Sequence, residues 1–236
     1  MKFTWITQGG FLFESASFRL AIDPYLSDFV EKKSNVTRMV EPVFSVTTLK
    51  PDAVFCTHDH IDHFDPITVP QIAKAFPSCI FAGPVSVAKK AIEAKINGSK
   101  ILKVERGIPI NLGPFEIIPV VAIHSDKDAV GIILKCEGKT LYISGDSEYS
   151  ESIADEVLKY AGGKIDMIFI CINGRLGNMN LGDALKVVKA IRPETALPMH
   201  YDLFAENSAA PEPFIAECLS ENIKSFEMKQ GKECII

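Results

Sequence analysis

Three histidines and two aspartates stand within one six-residue stretch of this 236-residue chain. The stretch is His58-Asp59-His60-Ile61-Asp62-His63, and it directly follows the apolar run Ala53-Val54-Phe55-Cys56. Imidazole nitrogens and carboxylate oxygens are ligands that suit zinc, manganese or iron. The alternative is a solvated polar loop, but no structural role requires three histidines with interleaved carboxylates. The spacing therefore predicts a metal-dependent enzyme, with His58, His60, Asp62 and His63 as its first candidate ligands.

Three further residues of ligand type stand at the ends of other strand-like apolar runs. They are His124 after Phe115–Ile123, Asp146 after Lys139–Ser144, and His200 after Thr195–Pro198. In α/β folds, ligand sites gather outside the carboxyl ends of strands, so these segments can converge on the histidine string. Taken alone, either histidine is equally typical of an ordinary loop, and the aspartate is more typical of a turn. The string cannot complete two metal coordination spheres alone, and this favours all three as ligands.

Short apolar runs and amphipathic segments predict the elements that carry these residues. The predicted strands are Phe3–Thr7, Phe11–Phe13, Phe18–Ile22, Ala53–Thr57, Ile80–Ala82, Phe115–Ile123, Val130–Cys136, Lys139–Ser144, Met167–Ile172 and Thr195–Pro198. The predicted helices are Ile67–Phe76, Pro84–Ala94, Ser152–Tyr160, Leu181–Ile191 and Pro211–Leu219. This order suits an α/β fold in which two sheets pack face to face with helices outside, a four-layer αββα sandwich.

No repeat or linker divides the chain, so residues 1–236 are expected to form one domain. Residues 25–50 carry charge without periodicity, and they predict a surface excursion of the kind that serves as a lid or binding loop.

Composition limits the partners and the compartment. The net charge of −5, with no Lys/Arg cluster longer than two residues, argues against a nucleic-acid-binding surface but leaves an anionic small-molecule substrate open. No apolar stretch approaches the roughly 20 residues of a membrane helix, and no signal peptide is evident at the N-terminus. Six cysteines without a C-x-x-C pair predict buried free thiols. We therefore expect a cytoplasmic protein with no membrane and no nucleic-acid partner.

A polar loop, residues 173–180, lies between a predicted strand and a predicted helix. Asn173, Arg175 and Asn178 in this loop are candidates for binding an anionic substrate group near a helix N-terminus. Asn180, with Asp183 three residues later, is explained equally well as a helix cap.

Three residues outside these segments are further candidates. Arg38 and Lys33 in the 25–50 excursion are cations that could reach a substrate, although exposed cations are usually only solvated. Asp23, at the end of the run Phe18–Ile22, could support a metal ligand from behind, and an Asp-Pro turn explains it equally well.

The motifs resemble those of the metallo-β-lactamase superfamily. Within it, the strings Thr57–His63, Ser144–Ser150 and His200-Tyr201-Asp202 resemble the L-ascorbate-6-phosphate lactonase group. The resemblance extends over roughly residues 3 to 204 and implies the same αββα sandwich. This chain is shorter than those lactonases, and the difference leaves the substrate open.

The resemblance implies a complete set of metal ligands. One metal would be bound by His58, His60 and His124, a second by Asp62, His63 and His200, with Asp146 bridging both. Nitrogen and oxygen ligands without thiolate suit zinc, and the resemblance implies manganese as a rival. The resemblance also suggests a homo-oligomer.

Two cations held close together can share a bridging water and lower its pKa until hydroxide is available near neutral pH. They also polarise the scissile group and stabilise the oxyanion that develops. Asp62 and Asp146 are the expected catalytic carboxylates, and Asp59 is expected to contact and support the metal ligands from behind. The leading hypothesis is a binuclear hydrolase acting on a small ester, specifically a sugar-phosphate lactone.

Two alternatives stay open, and a third is disfavoured. A phosphodiesterase could use the same metals, and a non-catalytic metal-binding module could use the same ligands. A redox di-iron protein is disfavoured, because the second histidine of the string is typically acidic in such superfamily members, whereas this chain has His60.

Overall fold

A computed structural model describes all 236 residues, and it contains two β-sheets, one of seven strands and one of six. The first sheet comprises β1 (Lys2–Thr7), β2 (Gly10–Ser15), β3 (Phe18–Ile22), β4 (Ala53–Phe55), β5 (Ile80–Gly83), β6 (Ile101–Lys103) and β13 (Glu233–Ile235). The second comprises β7 (Ile110–Leu112), β8 (Phe115–Val121), β9 (Val130–Cys136), β10 (Lys139–Ile143), β11 (Met167–Cys171) and β12 (Thr195–Met199).

Each sheet is antiparallel in one part and parallel in the other. In the first sheet the order is β13-β1-β2-β3-β4-β5-β6, antiparallel as far as β3 and parallel from β3 to β6. In the second the order is β12-β11-β10-β9-β8-β7, parallel from β12 to β10 and antiparallel beyond. Parallel neighbours end at the same edge of a sheet, which is where polar loops can meet.

Seven α-helices complete the fold. They are α1 (Phe29–Ser34), α2 (Val46–Leu49), α3 (Thr68–Ala75), α4 (Val85–Glu93), α5 (Ser152–Ala161), α6 (Leu181–Ile191) and α7 (Glu212–Ser220). Helices α2, α3 and α4 bury Leu49, Val69 and Val87 in a cluster with Leu12 and Val54 of the first sheet. Helices α5, α6 and α7 pack against strands of the second sheet. The predicted four-layer αββα sandwich is confirmed.

The alternation of side chains along the strands explains how the first sheet can be covered on both faces. In β1, Phe3 and Trp5 belong to the cluster between the sheets, whereas Ile6 belongs to the cluster beneath the outer helices. Phe169 of β11 meets the Phe3 ring at 5.0 Å and the Phe11 ring at 4.6 Å between centroids. These aromatic contacts join the two sheets in one core.

Most predicted elements occur within two or three residues of their expected bounds, and five were missed. The missed elements are β6, β7, β13, α1 and α2, of which the last two interrupt the predicted 25–50 excursion. All six cysteines are free and five are buried, as predicted. No helix combines the length and the apolar character needed to cross a membrane.

Candidate metal centre

The histidine string forms a tight turn at the carboxyl end of β4. Backbone N–H groups of His63 and Phe64 donate to the His60 carbonyl, at 3.0 and 2.7 Å, and this folds the string back on itself. His58 and His63 are fully buried, and His60 is half-buried. A turn of this kind lets several side chains of one short segment face the same space.

The second sheet delivers the other three candidates, each beyond the end of a strand. His124 follows β8, Asp146 follows β10 and His200 follows β12. Gly145 has φ +57°, and a Cβ there would lie 2.9 Å from the Val130 carbonyl oxygen, so only glycine fits before Asp146. His200 itself has φ +65°, a left-handed conformation in which its N–H donates to the Gln8 carbonyl at 3.1 Å.

His58, His60 and His124 form the first donor group, with one ring nitrogen from each within 4.8 Å of the others. The remaining ring nitrogen of each lies within hydrogen-bond distance of a neighbour. These are Thr57 Oγ1 at 3.1 Å from His58 Nδ1, Ser125 Oγ at 3.1 Å from His60 Nε2, and the Gly177 carbonyl at 2.9 Å from His124 Nδ1. Such contacts orient each ring and leave His58 Nε2, His60 Nδ1 and His124 Nε2 to converge.

Asp62, His63 and His200 form the second donor group, in which one ligand atom from each residue again lies within 4.8 Å of the others. Asp62 Oδ2 lies 3.8 Å from His63 Nε2 and 3.7 Å from His200 Nε2. Unlike the other four histidines, His200 has no hydrogen bond at either ring nitrogen.

Asp146 stands between the two groups. Its Oδ1 lies 3.3 Å from His63 Nε2, and its Oδ2 lies 3.2 Å from His200 Nε2 and 3.9 Å from His124 Nε2. The carboxylate therefore reaches both donor groups, which is the position that a bridging ligand requires.

Several of these atoms are buried without a hydrogen-bond partner. They are His58 Nε2, His63 Nε2, Asp146 Oδ1 and both ring nitrogens of His200. Unpaired buried polar atoms cost free energy, and native structures keep them only where something else pairs with them. Five imidazoles and two carboxylates without thiolate form a donor set that suits zinc or manganese. The residues present therefore fit bound divalent metal.

The pKa values of four site histidines shift, two downwards and two upwards. Burial lowers the pKa of His58 well below its ordinary value, and it lowers the pKa of His60 as well. Burial opposes protonation of His63 and His200 too, but the Asp146 carboxylate raises the pKa of both histidines above the ordinary value. Burial would raise the pKa of Asp146, yet His200 and His63 hold that pKa well below its usual range. The two histidines therefore favour the ionised form of Asp146.

Asp23 lies behind the second donor group, where the sequence suggested it. Its Oδ2 is 2.8 Å from His63 Nδ1 and accepts a hydrogen bond from Thr57 Oγ1 at 2.7 Å, while its Oδ1 accepts from Thr57 N at 2.7 Å. A Cβ at Gly9 would come within 3.0 Å of the His63 ring, so the β1–β2 turn must stay bare to admit this pair. Asp23 thus contacts a candidate ligand from behind, and its φ of +44° marks a bend in the chain before Pro24.

Gln8 is a site residue that the sequence reasoning missed. It is fully buried in the left-handed region (φ +50°), and its Nε2 donates to Asp62 Oδ2 at 3.3 Å. Nothing in its sequence context signals this role, because the contact depends on how the β1–β2 turn meets a loop 54 residues later. Asp59, expected to support ligands, lines the cavity, and its carboxylate makes no hydrogen bond to a site histidine.

The polar loop divides into residues inside and outside the site. Asn178 is buried, lines the cavity and donates from Nδ2 to Asp146 Oδ2 at 2.9 Å. Asn173 is buried behind it and accepts from Asn178 at 3.0 Å. Arg175 is exposed, lies outside the cavity lining and donates to the Glu206 carbonyl at 3.1 Å. A backbone oxygen holds the guanidinium there. Arg175 therefore does not reach the cavity, contrary to the expectation that it would bind the substrate.

A cavity of about 580 Å³ opens over the candidate ligands. His60, Asp62, His124, Asp146 and His200 line its floor, and Lys33, from the predicted lid, lines it together with Lys90 of α4. Arg38 does not reach it, because its guanidinium pairs with Glu31 and donates to the Val40 carbonyl at 3.1 Å. The predicted excursion thus contributes one of its two candidate cations.

Comparisons with known proteins find one matching family and several relatives named as hydrolases. Residues 19–201 match the family described as "Beta-lactamase superfamily domain". A UPF0173 metal-dependent hydrolase of Pyrococcus abyssi is 32% identical, over 77% of this chain and 80% of its own length. Another, from Pyrobaculum islandicum, is 28% identical over 98% of both chains. The solved structure of Igni18, a metallo hydrolase from Ignicoccus hospitalis, aligns with a TM-score of 0.80 at 22% identity, covering 99% of this chain and 97% of that one.

Proposed function

The chain belongs to the metallo-β-lactamase superfamily as a metal-dependent hydrolase, and we propose that it binds two divalent cations and hydrolyses a small anionic ester. Within that class the leading candidate is a sugar-phosphate lactone. The observation that carries the proposal is a pair of donor groups with Asp146 between them, 3.2 to 3.9 Å from histidines of both. Several of their buried nitrogens and one Asp146 oxygen have no hydrogen-bond partner in the protein.

Bound cations would supply Lewis acidity and lower the pKa of a coordinated water. His58, His60 and His124 would hold one cation, Asp62, His63 and His200 the other, and Asp146 both. Zinc and manganese both suit these nitrogen and oxygen donors.

The protein contributes orientation and a proton acceptor. Asp62 keeps 18% of its side chain exposed towards the cavity, while Gln8 donates to its Oδ2 and so fixes its direction. A carboxylate held in this way can orient an attacking water and accept its proton at the free oxygen. Asn178 donates to Asp146 Oδ2, so a hydrogen bond orients each of the two carboxylates before the substrate binds.

The shape and charge of the cavity support a small anionic substrate. Its volume of about 580 Å³ suits a ligand of metabolite size. Lys33 and Lys90 add positive charge at its lining, and Val30, Leu176 and Phe204 provide apolar contact area. The lactone is favoured by the resemblance of the Ser144–Ser150 and His200–Asp202 strings to the lactonase group. The same cations would also suit a phosphodiester, which is therefore the second candidate.

The test begins with metal analysis of the purified protein, followed by removal of metal and reconstitution with zinc or manganese. Wild type is then assayed against a panel of lactones, phosphorylated lactones and bis-aryl phosphates. We expect metal-dependent hydrolysis, with about two metals per chain, that disappears in Asp146→Ala and His60→Ala and persists in Asp128→Ala, an exposed aspartate outside the cavity. Full activity in metal-free protein or in Asp146→Ala would reject the proposal, and turnover of phosphates alone would select the phosphodiesterase.

A further inference from the structure

Three asparagines form a hydrogen-bonded row that begins at Asp146. Asn178 Nδ2 donates to Asp146 Oδ2 at 2.9 Å and to Asn173 Oδ1 at 3.0 Å. Asn173 Nδ2 donates in turn to Asn207 Oδ1 at 2.8 Å. All three asparagines are buried, and Asn178 and Asn207 both line the cavity.

The carboxylate fixes the direction of the whole row. An ionised carboxylate only accepts hydrogen bonds, so Asn178 must present its nitrogen to Asp146. That nitrogen has a second hydrogen, which goes to the oxygen of Asn173, and the Asn173 nitrogen must then meet the oxygen of Asn207. Reversing any one amide would place two oxygens or two nitrogens against each other.

The last amide is left with a free donor. The Asn207 side-chain nitrogen makes no hydrogen bond within the protein, while its oxygen is occupied by Asn173. Because Asn207 lines the same cavity as Asp146, His124 and His200, we propose that its side-chain NH₂ binds an oxygen of the substrate, either a carbonyl or an anionic phosphoryl or carboxylate oxygen.

The backbone around Asn207 is held firmly enough for this task. Asn207 ends the 3₁₀ turn Ala205–Asn207, whose Glu206 carbonyl accepts from Arg175 Nη1 at 3.1 Å. The Glu206 carboxylate accepts from Thr37 N at 2.8 Å and from Thr37 Oγ1 at 3.0 Å, and the Ala205 N–H donates to the Thr37 carbonyl at 3.0 Å. A donor positioned in advance binds at a lower entropic cost than a mobile one.

This arrangement also gives Arg175 a role other than the predicted one. Its guanidinium does not touch the cavity but holds the turn that carries Asn207. The inference rests on the proposed hydrolase, because the ligand is taken to be its substrate.

The variant Asn207→Asp removes the side-chain hydrogen-bond donor of Asn207 with little change in side-chain size. The substitution keeps the size of the side chain and an oxygen that Asn173 can donate to, but it replaces the NH₂ by an acceptor. Asn111→Asp is the matched control, since Asn111 is exposed on β7, lies outside the cavity and makes no side-chain hydrogen bond, and the charge change is identical. Both variants are loaded with metal and checked for metal content and thermal midpoint, which we expect to match wild type.

Two measurements follow at neutral pH. With the ester that the panel identifies, Asn207→Asp should lower kcat/KM at least about tenfold, the effect of losing a hydrogen bond to a charged or developing oxyanion. In calorimetric titration of the metal-loaded protein, inorganic phosphate should bind at least about tenfold more weakly to Asn207→Asp than to Asn111→Asp.

The outcomes distinguish this inference from the proposed function. If the panel yields no hydrolysed substrate, the proposed function fails, and the phosphate titration still decides the role of Asn207. Equal phosphate affinity in the two variants overturns the role of Asn207, even where Asp146→Ala abolishes hydrolysis. Loss of metal from Asn207→Asp also overturns it, because the row would then serve only to hold Asp146.

Discussion

Asp23 is a residue that contacts a candidate metal ligand without being a ligand itself. Its carboxylate accepts from the backbone and side chain of Thr57, at 2.7 Å each, and lies 2.8 Å from His63 Nδ1. It therefore fixes both the ring of His63 and the start of the histidine loop. Groups that orient metal ligands in this way contribute to metal affinity without touching the metal.

We expect Asp23→Asn to weaken metal binding about 10- to 100-fold, the usual effect of losing a ligand-orienting carboxylate. An asparagine has one acceptor oxygen, so its NH₂ would face either Thr57 or the His63 N–H. The measurement is competition with a chromophoric chelator. Asp128→Asn is the control, because Asp128 is exposed and outside the cavity. Unchanged affinity in Asp23→Asn would mean that Thr57 alone orients the loop.

Residue type and strand ends were enough to locate the candidate ligands. Histidine is scarce in this chain, and all five histidines meet at one site. Gln8 and Asn207 could not be found in the same way, because each is a common polar residue in a loop. Their positions depend on contacts with segments far away in the chain, namely Asp62 for Gln8 and Asn173 for Asn207.

At the scale of elements, hydrogen bonds attach the 25–50 excursion to the rest of the protein on both sides of helix α1. The buried Asp65 carboxylate, just after the histidine string, accepts from Leu26 N at 3.2 Å and from Ser27 N at 3.0 Å. Further along, Met39 N donates to the Leu203 carbonyl at 2.8 Å. Helix α1 lies between these attachments and supplies Val30 and Lys33 to the cavity, which fits the predicted role as a lid or binding loop.

The elements that the sequence did not predict share a physical cause. β6, β7 and β13 have three residues each and stand at sheet edges, so pairing with a neighbour defines them rather than any alternation of their own. Helices α1 and α2 have six and four residues, too few for an apolar periodicity to show. Longer elements such as α6 were predictable because their apolar face repeats over several turns.

Helix α5 is tied to the strand that ends before His124. Glu156 of α5 accepts from Val121 N at 2.8 Å and pairs with Arg106. The Arg106 hydrogen bond, helped by the Val121 N–H and opposed by burial, lowers the pKa of Glu156. A carboxyl whose pKa is lower in the folded state stabilises the fold above its unfolded pKa, and that stability disappears as the pH falls through the folded pKa.

The free energy of unfolding of metal-free Glu156→Gln should therefore be about 1 to 2 kcal/mol lower than that of metal-free wild type at neutral pH. The difference should stay constant down to the ordinary glutamate pKa of 4.5 and shrink below it. Urea unfolding at a series of pH values measures it, with the exposed Glu41→Gln as control. A difference that persists undiminished in acid would assign the effect to packing instead of charge.

At the scale of the whole molecule, each donor group draws on both sheets. His58 and His60 come from the loop after β4, and His124 comes from the end of β8 in the other sheet. The second group likewise combines Asp62 and His63 with His200, which follows β12. A cation bound by either group therefore joins the edges of the two sheets, in addition to the aromatic core between them.

Removing metal should consequently lower the stability of the entire sandwich and not only of the loops. A ligand that binds the folded state alone, present at a hundredfold excess over its Kd, contributes about 2.7 kcal/mol. For a chain of this size that corresponds to a decrease of about 5 to 10 °C in the thermal midpoint after chelation. Calorimetry of metal-loaded and chelated wild type measures the decrease.

Asp146→Ala provides the comparison, because it removes the one carboxylate that reaches both donor groups. Without it, chelation should change the midpoint much less than in wild type. Hydrogen exchange should also show that chelated wild type loses protection in both the 58–63 loop and the segment around His200, which belong to opposite sheets. Loss of protection in only one of the two segments would mean that the metals stabilise a single loop and that the aromatic core alone holds the sheets together.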